Sequence, residues 1–125
     1  MANPRRASRL RQQIRSMSEE MISLMDRLLR PRRMIAASLI ERHLGTSSRK
    51  RASSAFYLSR AEGGRTRLTY VPKKDLERIR AQTEAWREYR RGLRRVRELG
   101  HKLVELLGEL GDAQADRRGR RDGSR

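Results

Sequence analysis

The first quarter of the chain has a hydrophobic pattern typical of one face of a helix. Between residues 4 and 30, apolar residues recur at alternating spacings of three and four, which is a heptad pattern. Asn3 can cap this helix and Pro4 can occupy its first turn, whereas Pro31 disfavours helix at the residue before it. The pattern therefore predicts a helix over residues 4–30. Its seam, the apolar stripe that would face a partner helix, is formed by Ala7, Leu10, Ile14, Met17, Met21, Leu24 and Leu28.

A second heptad pattern begins after Pro72 and predicts a helix over residues 73–110. Gly92, Gly100 and Gly108 interrupt it. Each glycine either weakens the helix by about 1 kcal/mol relative to alanine or allows a partner helix to approach closely, and the sequence leaves both readings open. Two series of residues seven apart form the expected seam: Ile79, Trp86, Leu93, Gly100 and Leu107, and Tyr89, Val96, Leu103 and Leu110.

The segment between the two helices favours strands. Residues 43–54 are small, polar and basic, so they are predicted to form a loop. The segments around this loop are richer in apolar and β-branched residues, as strands usually are. The strand candidates are residues 36–42, 55–60 and 65–71.

The last two strand candidates should form a hairpin that turns at Gly63-Gly64. Two registers are open. A two-residue turn would place Arg60 beside Arg67, and a three-residue loop would place Ser59 there instead.

Together these elements predict a mainly helical fold with a small β element. Two long antiparallel helices would form a coiled-coil-like stalk, with a β-hairpin or three short strands at its tip. Residues 1–111 would be a single domain, and residues 112–125, which lack apolar periodicity, a disordered basic tail. The second helix would be longer by roughly ten residues, or about 15 Å. Its apolar end, Leu103 to Leu110, could pair with another chain, which allows a homodimer.

The charge of the chain points to a polyanionic partner. The 125 residues include 32 Lys and Arg and 15 Asp and Glu, a net charge of +17. Only four of the basic residues are lysine. A GC-rich genome would favour arginine over lysine, but it would not explain the excess over acids. Such an excess suits nucleic acid, an anionic membrane surface or an acidic protein, and arginine suits bidentate contacts with phosphate and guanine.

Few acids balance the positive charge of the segment between the helices. Residues 31–60 contain seven basic residues and one acid, Glu41, whereas residues 81–111 contain seven basic and five acidic residues. A two-stranded ribbon fits the DNA major groove, and cations in loops bind phosphates. The residues predicted to bind nucleic acid are Arg49, Lys50, Arg51, Arg60, Arg65, Arg67, Lys73 and Lys74.

Arginines of the second helix alternate with glutamates and favour a different interpretation. Their spacing allows ion pairs three and four residues apart, so a solvated, salt-bridged face is expected there. Some of them could still extend a phosphate-binding stripe, namely Arg90, Arg91, Arg94 and Arg95. Trp86 and Tyr89 are expected to pack in the seam rather than stack on bases.

No pattern in the chain supports catalysis or a cofactor. There is no cysteine, so disulfides and thiolate metal sites are excluded. His43 and His101 have no ligand-spaced neighbours, and the clustered serines at 47, 48, 53 and 54 have no base partner in the sequence. Phosphate-loop motifs are also lacking. The prediction is a protein that is not an enzyme and needs no metal or cofactor.

Location is predicted from what the sequence does not contain. No apolar run approaches the ~20 residues needed to span a bilayer, and the beginning of the chain lacks a signal peptide's apolar stretch. Residues 1–18 are basic and free of acids, as in an organelle transit peptide, but they continue a helical pattern. Peripheral membrane binding is disfavoured, because the stripes have the width of seams and lack interfacial aromatics. A cytoplasmic protein is expected.

A series of short motifs lies between residues 34 and 110. Its most specific members are Tyr57-Leu58-Ser59, Gly63-Gly64, Thr66-Arg67 and Tyr70-Val71-Pro72-Lys73. These motifs and the long helix after them resemble an uncharacterised bacterial and archaeal domain family. The resemblance implies a fold more than a function. Relatives carry cysteines in the loop before the hairpin, and because this chain has none, no metal-dependent role is implied for it.

The predicted function is that of a small accessory protein that binds nucleic acid mainly through phosphates. DNA is favoured over RNA by the ribbon geometry. The alternative is a coiled-coil structural or protein-interaction module, in which the seams bind a partner helix and the charge provides solubility or attracts an acidic protein.

Overall fold

The computed structural model of the protein describes residues 2–44 and 53–116. The chain divides into two compact units, residues 1–30 with 92–125 and residues 31–91, hereafter the helical unit and the β unit. The elements are helix α1 (Pro4–Leu29), strands β1 (Ser38–Leu44), β2 (Ser53–Glu62) and β3 (Arg65–Val71), a 3-10 turn (Lys73–Asp75) and helix α2 (Leu76–Gln114).

Helix α1 begins at the predicted residue and ends one residue before the predicted end. The Asn3 side chain accepts a hydrogen bond from the backbone N–H of Arg6 at 3.1 Å, which satisfies one of the free donors of the first turn. At the other end, Arg30 has extended backbone angles, as expected before Pro31. All seven predicted seam residues of α1 are buried or half-buried.

Within the helical unit, α1 runs antiparallel to α2. The Asn3 N–H donates to the Ala113 carbonyl at 2.7 Å, so the beginning of α1 lies beside the end of α2. The end of α1 lies beside Gly92, where a Cβ atom would be only 2.8 Å from Cδ2 of Leu28. Gly92 therefore allows helix α1 to approach α2 closely, which is one of the two roles that the sequence leaves open for the glycines.

The face of α2 that is buried in the helical unit is not the predicted one. Leu99 is only 1% exposed and Leu106 and Ala113 are buried, and with Gly92 they form a series seven apart. Leu107, expected in the seam, is 53% exposed. One of the two predicted seam series is partly correct. Its members Val96, Leu103 and Leu110 lie beside the buried residues and are half-buried.

The apolar end of α2 does not overhang α1. Ala7, Leu10, Leu106 and Ala113 form one buried cluster, with Ile14, Met17 and Leu110 packed against it. The extra length of α2 is at its beginning, where residues 76–91 belong to the β unit. The helix also continues to Gln114, four residues beyond the predicted end. Residues 117–125 of the predicted tail lie outside the described residues.

The β unit contains a three-stranded antiparallel sheet in the order β1-β2-β3. Gly63 and Gly64 have φ angles of 57° and 78°, which lie in the left-handed region that favours glycine and which match a two-residue hairpin turn. Arg60 is consequently the partner of Arg67. The first of the two registers left open by the sequence is therefore the correct one.

The first turns of α2 pack within the β unit. The Ile35 N–H donates to the Gln82 carbonyl at 3.0 Å, and Arg32 pairs with Glu88 at 2.9 Å. The buried residues of this unit come from both the sheet and the helix, and they are Ala55, Val71, Ile79, Thr83 and Ala85.

The predicted stalk of two long helices with a hairpin at its tip is wrong. Over residues 2–44 and 53–116, the chain has one helix of 26 residues and one of 39 residues, and a sheet of three strands. Only the coarser expectation of a mainly helical protein is correct. Heptad spacing identifies the apolar faces of a helix but not the element that covers each face. Here residues 76–91 of the long helix belong with the sheet rather than with α1.

Candidate nucleic-acid interface

Most of the excess positive charge belongs to the β unit. Residues 31–91 contain 16 Lys and Arg and six Asp and Glu, a net charge of +10 out of the chain's +17. Concentrated charge of one sign favours an anionic ligand. The β unit is therefore the better candidate for a surface that binds a polyanion.

The turn end of the sheet is a two-stranded ribbon. Pairing between β1 and β2 begins at Ser38 and Ser59, so residues 60–62 of β2 pair with β3 alone. Residues 65–67 form the other strand of this ribbon. All six of its residues are exposed.

Arg60 and Arg67 lie directly opposite each other on this ribbon. Paired residues of antiparallel strands extend from the same face, and like charges in this arrangement repel. Arg67 is partly compensated, because its Nη1 lies 3.3 Å from Oε2 of Glu62. Arg60 forms no ion pair with the acids of the described chain. The ribbon therefore presents more positive than negative charge on this face.

A groove of about 290 Å³ lies along the same face of the hairpin. Its lining residues are Leu58, Arg60, Glu62, Arg67 and Thr69. Guanidinium and hydroxyl groups are the donors that commonly bind phosphate oxygens. The groove therefore has suitable chemistry for a nucleic-acid backbone at the turn end of the hairpin.

The remaining predicted site residues are not gathered at this place. Arg65 is next to the turn, as the partner of Glu62. Lys73 and Lys74 are in the 3-10 turn that follows the opposite end of β3, roughly 23 Å away at the usual rise of a strand. The other three predicted residues, Arg49, Lys50 and Arg51, lie outside the described residues.

A second groove of the β unit contains arginines for which the helical spacing predicts a salt-bridged face. It measures about 310 Å³. Arg60 lines it from the sheet, and Trp86, Arg87 and Arg90 line it from α2. The helical spacing places Trp86, Arg87 and Arg90 on neighbouring turns of one helix. It does not indicate which strand lies beside them.

Ion pairing on α2 is as expected for some of these arginines and not for others. Glu84 accepts contacts from both Arg87 and Arg91 at 3.3 Å, which confirms a solvated ion-paired surface there. Arg90 instead lies 5.5 Å from the centre of the Trp86 ring. Trp86 stacks parallel to Tyr89, with 6.4 Å between ring centres. Arg90, like Arg60, is thus a cation of this groove that the described acids leave uncompensated.

The face of the sheet opposite to that of Arg60 and Arg67 carries aromatic side chains. Tyr57 and Tyr70 are cross-strand partners whose ring centres are 5.8 Å apart in an edge-to-face arrangement. Arg42 lies 5.8 Å from the centre of the Tyr57 ring. Tyr70 is an exposed aromatic side chain, the kind on which unpaired bases stack.

Chemistry beyond binding has little support in the described residues. Ser54 Oγ lies 3.4 Å from His43 Nδ1, a contact that the sequence does not predict. Across residues 2–44 and 53–116, no carboxylate is hydrogen-bonded to that imidazole, and nucleophilic serines usually need such a third group. The same ranges contain no cluster of three or more His, Asp or Glu side chains that could hold a metal.

Comparison with other proteins provides no assignment. The chain matches no protein-family model, no curated protein and no solved structure. Neither helix, over its described length, combines the length and apolar character needed to cross a membrane. The resemblance noted from the hairpin motifs stays a prediction.

Proposed function

We propose that this protein is a non-enzymatic accessory protein of the cytoplasm that binds nucleic acid, with duplex DNA preferred to RNA. The turn end of the β2–β3 hairpin would contact phosphates through Arg60, Arg65 and Arg67. The main support is the direct pairing of Arg60 with Arg67 on an exposed two-stranded ribbon. Glu62 is the single acid on that ribbon.

Electrostatics explains why phosphate suits this ribbon. Two guanidinium groups on opposite strands repel each other in the free protein. A phosphate placed between them would convert that repulsion into two charge-assisted hydrogen-bonded contacts. Binding a polyanion therefore relieves an unfavourable interaction in addition to forming favourable ones.

The ribbon geometry supports DNA over RNA. The major groove of B-DNA is about 12 Å wide and admits a two-stranded ribbon. The major groove of A-form RNA is too narrow for side chains to read. Residues 60–62 and 65–67 have no third strand beside them, so no strand obstructs their entry into a DNA groove.

Fluorescence anisotropy with labelled duplex DNA, duplex RNA and single strands, titrated between 50 and 200 mM salt, tests the proposal. The logarithm of affinity for duplex DNA should fall linearly with the logarithm of salt concentration, by about 0.9 per phosphate contacted. The double variant Arg60→Gln with Arg67→Gln should reduce that slope by about two contacts and weaken binding roughly 50-fold near 0.1 M salt.

The matched control is Arg5→Gln with Arg9→Gln, which removes the same charge from exposed positions of α1. It should change affinity far less than the hairpin variant. An equal loss in the two double variants would show that binding depends on net charge rather than on the ribbon. Failure of the wild-type chain to bind any of the nucleic acids at 50 mM salt would refute the function itself.

A protein-interaction module is the second candidate function, and a separate observation favours it. Ile22, Leu29 and Val104 are large aliphatic side chains of the helical unit that remain exposed. If this module were the whole function, the titrations would show no nucleic-acid binding while a protein partner bound to the helices.

A further inference from the structure

The groove that Arg60 shares with α2, hereafter the α2 groove, lies at the open edge of strand β2. Pairing with β1 begins at Ser38, and the chain before it turns to α2, where the Ile35 N–H donates to the Gln82 carbonyl at 3.0 Å. Ser59 and Arg60 extend from opposite faces of β2, yet both line the groove. Its walls are therefore the edge of β2, the chain that leads into β1, and α2.

The lining of the α2 groove is cationic. Arg60, Arg87 and Arg90 contribute three guanidinium groups, and none of the described residues that line the groove is acidic. Arg87 is compensated, because its Nη1 lies 3.3 Å from Oε2 of Glu84. Neither Arg60 nor Arg90 forms an ion pair with an acid of residues 2–44 and 53–116. Two uncompensated positive charges therefore line this groove.

Hydroxyl groups add neutral donors to the same wall. Ser38 and Ser59 are cross-strand partners that both line the groove, so their side chains extend from one face of the sheet. Within the described chain, neither hydroxyl is bonded to another group. Thr83 differs, because its hydroxyl donates to the Arg80 carbonyl at 3.0 Å. The groove therefore combines guanidinium groups with two free hydroxyls, which are the donors that commonly bind phosphate oxygens.

Apolar surface in the α2 groove is limited to one aromatic ring and three alanines. Among the described lining residues, no aliphatic side chain is larger than alanine, whereas grooves that bind a helix of another protein have larger apolar walls. Trp86 is half-buried, and the Arg90 guanidinium lies 5.5 Å from the centre of its ring. An aromatic ring beside an arginine is a common surface for a nucleobase.

The size of the α2 groove sets a limit on its ligand. Its volume of about 310 Å³ is at the lower end of the range of about 300–1,000 Å³ that is usual for small-molecule sites. At about 30 Å³ for each water in the liquid, it has room for roughly ten waters. An inorganic phosphate would leave much of that space unfilled, whereas a phosphate with one attached nucleoside would use it.

We propose that the α2 groove binds the phosphate monoester of a single nucleotide, with the phosphate at Arg60 and Arg90 and the base towards Trp86. A monoester carries a charge of about −1.5 to −2 at pH 7 and has three acceptor oxygens, which matches two uncompensated guanidiniums. A backbone diester carries one charge and matches them less well. Both a free nucleotide and a phosphorylated strand end carry the group, so the site does not depend on duplex binding by the ribbon.

Trp86 fluorescence tests the proposal, because Trp86 is the only tryptophan of the chain and lines the groove. The full chain is titrated at 50 mM salt with adenosine 5′-monophosphate, its 3′,5′-cyclic diester and adenosine, with excitation at 295 nm. The monophosphate should give a saturable change. The cyclic diester should bind at least about tenfold more weakly, because it has half the charge and one fewer free oxygen. Adenosine should give no saturable change.

Arg90→Gln should weaken binding of the monophosphate by about tenfold or more, because it removes a charged donor from the groove. Arg91→Gln is the matched control. It removes the same charge from the next residue of α2, which is exposed and does not line the groove, and it should change the affinity less than about twofold. Arg87→Gln, a second groove variant, covers the case in which Arg90→Gln loses helical circular dichroism, and it should also weaken binding.

A further variant separates this site from the ribbon. Arg67 lines only the groove of the hairpin, so Arg67→Gln should weaken duplex DNA and leave the monophosphate nearly unaffected. Arg90→Gln should weaken the monophosphate more than the duplex. A chain that binds no duplex could therefore still show nucleotide binding, and the reverse also holds.

Competition between adenosine 5′-monophosphate and a short single strand, with either a 5′-phosphate or a 5′-hydroxyl, identifies the source of the monoester. Stronger competition by the phosphorylated strand than by its hydroxyl counterpart would assign a strand end, and equal competition a free nucleotide. Absence of a saturable response to the monophosphate up to 10 mM would overturn the proposal. So would equal affinity for the cyclic diester, or equal losses in Arg90→Gln and Arg91→Gln.

Discussion

Arg60 and Arg67 are direct partners on neighbouring antiparallel strands, and their side chains extend from the same face of the hairpin. A two-residue turn creates this pairing, because a loop one residue longer would have placed Ser59 opposite Arg67. The arrangement gathers positive charge on a small exposed ribbon, at a cost to the stability of the free protein.

Replacing Arg60 by Gln should therefore stabilise the β unit while it weakens nucleic-acid binding. Removing one of two like charges on opposite strands should raise the free energy of unfolding by roughly 0.2–1 kcal/mol. Urea unfolding followed by fluorescence measures this, because Trp86 is the only tryptophan and lies in the β unit. Arg65→Gln is the control, since Arg65 is opposite Glu62 and its loss should not stabilise. A destabilised Arg60→Gln variant would contradict the repulsion argument.

The hairpin turn should depend on glycine at Gly64. Its φ angle of 78° is in the left-handed region, where a side chain costs about 1–2 kcal/mol. Gly64→Ala should lower the stability of the β unit by that amount. Gly63→Asn is the milder comparison, because asparagine tolerates the conformation that Gly63 adopts at φ 57°. Equal stability of Gly64→Ala and wild type in urea unfolding would be incompatible with the observed turn.

Gly92 and Gly108 should respond differently to alanine. At Gly108 the added Cβ would meet no atom within 4 Å, so Gly108→Ala should stabilise α2 by about 1 kcal/mol through helix propensity. At Gly92 the same atom would lie 2.8 Å from Cδ2 of Leu28, and α1 or the leucine must shift. Gly92→Ala should therefore gain much less or lose stability. Thermal unfolding monitored by circular dichroism compares the two, and an equal gain at both would argue against close packing at Gly92.

Leu99 and Leu107 distinguish the observed seam from the predicted one. Leu99 is buried, so Leu99→Ala should cost about 2–5 kcal/mol of unfolding free energy. Leu107→Ala should cost less than about 1 kcal/mol at protein concentrations too low for self-association, because its side chain is more than half exposed. Denaturant unfolding followed by circular dichroism compares the unfolding free energies of the two variants. A larger loss of stability in Leu107→Ala than in Leu99→Ala would support the predicted seam instead of the observed one.

Local features of the sequence determined the elements of this protein. Asn3, Pro4 and Pro31 set the ends of α1, because caps and prolines act on their immediate neighbours. Gly63 and Gly64 determined the hairpin turn, since few other residues adopt its backbone angles. The positive charge around the hairpin is likewise a property of composition that is visible without a structure.

Only the tertiary structure decided which surfaces these elements share. Helix α2 has apolar residues in several series, and packing against α1 buries Leu99 and Leu106 while it leaves Leu107 exposed. The beginning of α2 lies in the β unit, where Arg87 and Arg90 line a groove with Arg60 of β2. A helical period specifies the direction of each side chain around its own axis. It contains no information about which neighbour, distant in sequence, will cover that side.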